Sequence, residues 1–150
     1  MSIFIISLRI LLAAILGGLV GFEREVRGRT AGFRTHMLVC LGSALFMTTS
    51  ILMSSHYSHL GAVDPSRIAA GVVTGVGFLG AGAVIRFQSF VQGLTTAASI
   101  WVVAAIGLAV GAGLYKVALI ATVIVVVVLF LSRLERRLAL KNKKNDSDKK

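Results

Sequence analysis

Four stretches of the chain are almost continuously apolar, with polar and charged residues gathered between them. The first runs from Ile3 to Gly21, the second from His36 to Met53, the third from Ile68 to Ile85. The fourth, Leu94 to Ser132, is interrupted only by Lys116. A helix needs about 20 mostly apolar residues to cross a hydrocarbon core about 30 Å thick. The fourth stretch is too long for one crossing. Gly111-Ala112-Gly113 followed by Tyr115-Lys116 supplies a turn, because glycine permits a tight backbone and Tyr and Lys suit the membrane interface. The pattern predicts an all-α fold: a polytopic transmembrane helix bundle of about five spans, the last two near 94–112 and 115–132.

Composition agrees with this. Of the 150 residues, 56% are hydrophobic and 15% charged. A soluble domain carries roughly 25% charge to cover its wet surface. Disorder over most of the length is excluded, because it requires low hydrophobicity. The net charge of +10 would suggest nucleic acid in a soluble protein. Here the basic residues flank apolar runs, so they set membrane orientation instead, and no nucleic-acid partner is expected. With five spans and the N-terminus outside, 13 Lys/Arg fall inside, Arg67 and Lys116 fall outside, and Arg9 lies within the first span. A four-span reading gives nine inside and five outside at best, so the positive-inside rule selects five spans, N-out and C-in. Met1–Leu8 contain no Lys or Arg, so the first span is expected to be retained rather than cleaved as a signal peptide. Residues 1–132 form the expected membrane domain. Residues 133–150 form a basic cytoplasmic tail: a short helical extension to Lys141, then disorder from Asn142 to Lys150, with its cations facing anionic lipid.

Small residues four apart let helix backbones approach closely. Gly17/Gly21, Gly71/Gly75 and Gly107/Gly111 have that spacing, and Gly77, Gly80 and Gly82 add to the third span. Spans one, three and four are therefore expected to form the packed centre. The second span offers Thr35, Ser43, Thr48, Thr49 and Ser50 for interhelical hydrogen bonds. The fifth, rich in Val, Ile and Leu, is expected to face lipid.

Little catalytic chemistry can be assembled. Gly75-Val-Gly77-Phe-Leu-Gly80 matches a dinucleotide-binding pattern, but it lies inside an apolar span and residues 90–110 contain no acid. No Walker A motif, nucleophile–base pair or catalytic residue is identified, so an enzyme is not expected, nor a cofactor. The five spans contain no Asp or Glu. Glu23 and Glu25 alternate with Arg24 and Arg27, so interface ion pairs compete with any Mg²⁺ there. His56-Tyr-Ser-His59 near Asp64 is a weak pattern for a soft divalent metal, and a solvated loop is the default. Cys40 is expected to be a small buried hydrophobe, and His36 a capping or interface group. Arg9, about two turns inside the first span, is a functional candidate unless it snorkels outward or pairs with Asp64. Asp64-Pro65 before Ser66-Arg67 reads as an N-cap with proline at the first helical position. Thr95 and Thr96 open the fourth span, as an N-cap or as hydroxyls for an anion or a partner's polar group.

Several ordered motifs resemble the MgtC/SapB family of bacterial membrane proteins. They are Gly21-Phe-Glu-Arg-Glu25, Ala31-Gly-Phe-Arg-Thr-His36, Asp64-Pro-Ser-Arg-Ile-Ala-Ala70 and Gly75-Val-Gly-Phe-Leu-Gly-Ala-Gly-Ala-Val-Ile-Arg86. Gly93-Leu-Thr-Thr-Ala-Ala-Ser-Ile-Trp101 and Ala104-Ala-Ile-Gly-Leu-Ala-Val-Gly111 continue the match, which covers about residues 7–132. The resemblance implies a multi-pass protein of the bacterial inner (plasma) membrane, tied to growth in low magnesium and, in pathogens, to virulence. It implies a regulator that acts on other membrane machinery, although members are often named magnesium transporters. Where the family has arginine before Gly-Leu, this chain has Gln92, and Thr95 occupies a polar position linked to function. Longer members add a cytoplasmic domain resembling small-ligand modules, which the lysine-rich tail is expected to replace.

The expected function is support of magnesium homeostasis through binding of a membrane-protein partner, with lipids and a second copy of the chain as further partners. The candidate residues are Arg9, Glu23, Arg24, Glu25, Arg34, Thr35, Arg67, Arg86, Thr95 and Thr96, acting by ion pairing and hydrogen bonding. The alternative is a transporter or channel for Mg²⁺ or another small ion, with carbonyls of the glycine-rich centre lining the path.

Overall fold

In the computed structural model, which describes residues 1–60 and 64–147 and the side chains of 1–59 and 64–131, five helices carry most of the chain. They are α1 (Ile3–Val26), α2 (Phe33–His56), α3 (Ser66–Gly82), α4 (Leu94–Gly111) and α5 (Tyr115–Ser147). A 3-10 turn, Ser58–Leu60, follows α2. Among the described residues, α1, α2 and α4 are long and apolar enough to cross a membrane, while α3 and the Tyr115–Leu131 part of α5 are shorter apolar helices. At 17 residues, α3 rises about 25 Å.

Two glycine turns separate helices in the same way. Arg27 is the C-cap of α1 and Gly28 follows at φ +61°. The Gly28 amide donates to Glu25 O at 2.9 Å and the Arg29 amide to Arg24 O at 3.1 Å, a Schellman pair. At the end of α4, Gly113 has φ +83°, and the Gly113 and Leu114 amides donate to Val110 O and Ala109 O at 2.9 and 2.8 Å. The second turn divides the long apolar stretch at the expected place.

α3 ends earlier than hydropathy suggests, at Gly82. Ile85–Arg86 (β1) pairs antiparallel with Val91–Gln92 (β2), Ile85 opposite Gln92 and Arg86 opposite Val91. Gly80 and Gly82 hold a helix weakly, and the following Val84, Ile85, Phe87, Phe90 and Val91 favour strand. At the other end of α3, Pro65 takes the cap position and Ser66 the first helical one, a shift of one from the expected frame. Asp64 instead accepts from the Ser66 amide (2.8 Å) and hydroxyl (2.7 Å), an Asx-type turn. α5 continues as helix through Ser147, so the chain from Asn142 to Ser147 is helical where disorder was expected. Leu, Arg, Lys, Ala and Glu dominate 133–144, and all favour helix. Residues 148–150, and the tail side chains expected to meet lipid, lie outside the described residues.

The centre of the bundle is α1, α2 and α4, not spans one, three and four. Ala13, Leu16, Val20, Cys40, Ala44, Val103, Ile106 and Val110 form the main core. At Gly17 a Cβ would lie 2.5 Å from Cys40 Cβ, and at Gly21 2.8 Å from Gly32 O. At Gly107 it would overlap the Cys40 carbonyl oxygen, and at Gly111 it would lie 2.5 Å from Ala44 O. These four glycines let α1 and α4 both pack closely against α2, and the three helices share one core. Of the third-span glycines, only Gly80 meets a neighbour, Ala97 of α4 at 3.6 Å. Gly71, Gly75, Gly77 and Gly82 face open space, so their expected packing role inside the monomer is not realised. Spacing reveals that two glycines share a helix face, but not which partner that face meets. The outer surface of α5 is apolar and exposed, with Ile120, Val123 and Val128 each more than half accessible.

Candidate functional site

The polar side chains gather at the two ends of the α1–α2–α4 unit. At one end α1 finishes in Glu23-Arg24-Glu25, and the Schellman turn returns the chain as α2. Arg24 is 2% exposed. Its Nη1 lies 3.5 Å from Glu23 Oε2, and Glu23 Oε1 also pairs with Arg27 one turn later. Arg27 Nη2 donates to Phe130 O of α5 at 3.4 Å. Among the described residues, the Nε atoms of Arg24 and Arg29 are buried without a hydrogen-bond partner. Glu25 does a different job: its Oε2 accepts from the Phe33 amide at 2.6 Å, the first residue of α2. A carboxylate at a helix N-terminus satisfies an orphan donor and complements the helix dipole. Gly32 leaves room for it, since a Cβ there would overlap the Glu25 carboxylate.

Behind this loop His36 is fully buried. Its Nδ1 lies 2.9 Å from Gly32 O, which can only accept, so Nδ1 carries a proton. Its Nε2 lies 2.9 Å from Ser99 Oγ on α4. The Ser99 hydroxyl is also 2.8 Å from Thr96 O. With one proton, Ser99 supplies either a neutral ring or Thr96 O. His36 is thus a cross-helix strut rather than a cap. Thr96 is buried beside it and Thr95 is exposed, with Gly93, not a threonine, as the N-cap. Gly93 has φ +95°, and a Cβ there would overlap Ala83 O, so only glycine closes the joint between hairpin and α4. Arg34 and Thr35 are exposed, as is Arg86 on β1. Thr35 and Thr30 open onto a small recess of about 280 Å³ beside Gly82, Ala83 and Ile100.

At the opposite end Arg9 neither meets Asp64 nor hangs free. Its Nη1 donates to Gly111 O at 2.6 Å and its Nε to the Tyr115 hydroxyl oxygen at 3.0 Å. The last carbonyls of a helix lack intrahelical partners, and a cation suits them. Thr48 Oγ1 also approaches Gly111 O, at 3.4 Å. Gly113 makes room, since a Cβ there would lie 2.9 Å from Arg9 Nη2. Arg9 meets Tyr115 as Arg27 meets Phe130, so α1 and α5 run in the same direction. Ser50 donates to Pro65 O at 2.8 Å, which ties α2 to the start of α3. Asp64 and Arg67 are exposed there. The two Ser66 hydrogen bonds hold the Asp64 carboxyl below the usual carboxylate range.

The structure therefore joins Glu23 to Arg24, Glu25 to the start of α2, Arg9 to the end of α4, and Thr96 to the His36–Ser99 pair. It leaves Arg34, Thr35, Arg67, Arg86 and Thr95 at the surface. Thr48 makes the interhelical contact expected of the second span, at 3.4 Å, whereas the role of Ser99 has no signal in the sequence beyond a hydroxyl inside an apolar span. Ser43 donates to Val39 O within its own helix, at 2.8 Å, rather than across helices. Among the described residues no three His, Cys, Asp or Glu converge. His56 instead stands edge-on to Tyr57, ring centroids 4.8 Å apart.

The MgtC family model matches residues 10–137, which takes in α2, α3 and α4 and most of α1 and α5, and begins one residue after Arg9. The chain belongs to the MgtC family. This MgtC-family chain is a multi-pass protein of the bacterial inner membrane. It is 48% identical over 128 residues to the putative magnesium transporter YhiD of Escherichia coli K12, covering 81% of this chain and 58% of that protein. It is 47% identical over 121 residues to protein MgtC of Brucella abortus strain 2308, covering 81% and 48%. Against protein MgtC of Salmonella typhimurium LT2 it is 45% identical over 125 residues, covering 83% and 51%. The chain thus spans roughly half the length of the curated relatives it matches. No solved structure matches it.

Proposed function

We propose that this MgtC-family chain supports magnesium homeostasis by binding and regulating another membrane protein, in a non-catalytic role. One observation carries the reading: α3 keeps its glycine face unoccupied. Gly71 and Gly75, with Gly42 of α2, line an apolar groove of about 650 Å³ whose walls include Leu38, Phe46 and Leu79. A glycine face of this kind accepts a second helix at close range, where dispersion and Cα–H···O contacts drive association in lipid. Thr95, exposed on the first turn of α4, and Arg34 and Arg86 offer polar anchors at the hairpin end.

The second reading is ion transport, favoured by the name that the E. coli relative carries. The middle of the α1–α2–α4 seam gives it little support, since Gly17, Cys40, Ala44, Gly107 and Val103 close on one another and the polar groups sit at the two ends. Purified protein in liposomes with a trapped magnesium-sensitive dye separates the two. The partner reading expects no flux above empty liposomes. It also expects Gly75→Leu, which fills the groove, and Thr95→Ala to abolish growth support in magnesium-starved cells while insertion persists. Flux lost in Arg86→Ala or Thr95→Ala, with folding intact, would make transport the leading account. Full complementation by both Gly75→Leu and Thr95→Ala would remove the groove and Thr95 from the account.

A further inference from the structure

The hairpin between α3 and α4 carries more exposed apolar surface than its size can bury. Phe87 and Phe90 face each other across the turn, ring centroids 4.6 Å apart and nearly parallel at 22°. The Phe87 amide donates to Phe90 O at 2.9 Å, which closes the turn around Gln88-Ser89. Side chains alternate faces along a strand. Ile85, Phe87 and Phe90 therefore share one face, with Gln92 opposite Ile85 at its base, and Arg86 and Val91 take the other. Ile85, Phe87 and Phe90 are 49%, 46% and 56% exposed. A two-stranded hairpin has no core of its own and is marginal in water. Its base is closely packed, because Gly93 at the start of α4 lies against the Ala83 carbonyl.

The position of the hairpin says what covers that face. It leads directly into α4, one of the membrane-crossing helices, at the end where Arg24 and Arg27 lie. An exposed apolar face at the end of a membrane-crossing helix stands at the depth where hydrocarbon gives way to headgroups. Aromatic rings favour that depth. The surrounding charge is basic: Arg86 on the opposite face, and exposed Arg34 at the start of α2. Anionic headgroups attract such cations.

We propose that the Ile85–Gln92 hairpin is an in-plane membrane anchor. The Phe87–Phe90 pair inserts at the acyl–headgroup boundary and Arg86 engages the phosphates of anionic lipid. This anchor would fix the α3–α4 junction beside the open groove. The inference rests on the bilayer placement of α1, α2 and α4, not on the identity of any protein partner.

The test is site-directed spin labelling in liposomes of phosphatidylethanolamine with phosphatidylglycerol. Single cysteines are placed at Phe87, Phe90, Gln88 and, as a lipid-facing reference on α3, Phe78, which is 82% exposed. Cys40 is fully buried, and the parent chain measures its background labelling. Power saturation compares apolar oxygen with a water-soluble nickel chelate. The anchor expects an oxygen-to-nickel accessibility ratio several-fold higher at 87 and 90 than at 88, approaching that at 78. Water-like ratios at 87 and 90, with 78 lipid-like, would place the hairpin in solvent and overturn the proposal. Shielding from both reagents would mean a protein cover, such as a second copy, and would also overturn it. A water-like ratio at 78 would instead show that the bilayer placement itself is wrong. Replacing phosphatidylglycerol by phosphatidylcholine, or Arg86→Gln, is expected to lower the ratio at 87. An unchanged ratio in both would refute the phosphate contact.

Discussion

α4 and α3 are both glycine-bearing apolar helices, yet they stand in opposite relations to the bundle. Gly107 and Gly111 of α4 press against the backbone of α2, and Gly71 and Gly75 of α3 press against nothing. α4 buries half of its apolar length, whereas in α3 only Val76 and Gly80 are buried. The same residue type at the same spacing serves a closed seam in one helix and an open face in the other. The difference teaches that a small-residue stripe permits close approach, and that its spacing does not tell which face is filled within the chain.

The comparison can be broken at its ends and in its middle. The largest effect is expected at Glu23, the carboxylate beside nearly fully buried Arg24. Glu23→Gln leaves that cation uncompensated and should cost on the order of 3 kcal/mol, read as a drop in thermal midpoint in detergent. Unchanged stability would mean that Arg24 is neutralised by another group. Gly107→Ala comes next. The added methyl must displace the Cys40 carbonyl, at about 1–3 kcal/mol, and the same assay reads it. Arg9→Gln should cost roughly 1–2 kcal/mol through loss of the charged bonds to Gly111 O and Tyr115. If Arg9→Gln were neutral, the link from α1 to the α4–α5 turn would hold no energy.

Gly75→Ala sets the opposite end of the scale. Nothing lies within reach of the new methyl, and alanine favours helix by about 1 kcal/mol, so stability should hold or rise. A loss comparable with Gly107→Ala would erase the distinction between the two helices. The smallest effect is at Asp64. Its folded pKa is depressed by the Ser66 bonds, so its contribution is present above the ordinary carboxylate pKa and is lost as pH falls through the lower folded value. Asp64→Asn should lower neutral-pH stability slightly, toward the parent's acid-side value, and so flatten that slope in a pH series of melting curves.

Much of the helix plan was legible in hydropathy. The Gly111–Gly113 break, the apolar exposed fifth helix and the membrane class all followed from runs of apolar residues, because a bilayer imposes length and polarity on each segment separately. The end of α3 was not legible, because Val84 and Ile85 are as apolar in a strand as in a helix. The site was legible in part. Glu23 and Arg24 lie beside each other in sequence, and a local ion pair can be read there. Glu25 reaching Phe33, Arg9 reaching Gly111 and His36 reaching Ser99 could not be read, since each joins residues that only the packing of different helices brings together.

By itself, the order of residues determined the number of apolar helices, most of their approximate limits, the turn at Gly111–Gly113 and the family to which the chain belongs. These are properties of single segments and of ordered motifs. Only the tertiary structure decided that α2 rather than α3 is the centre, which glycines are filled, and where Arg9 and His36 find their partners. In lipid every one of these apolar faces is equally content with acyl chains or with another helix. Shape complementarity at a few glycines and polar groups therefore makes the choice, and hydropathy does not encode it.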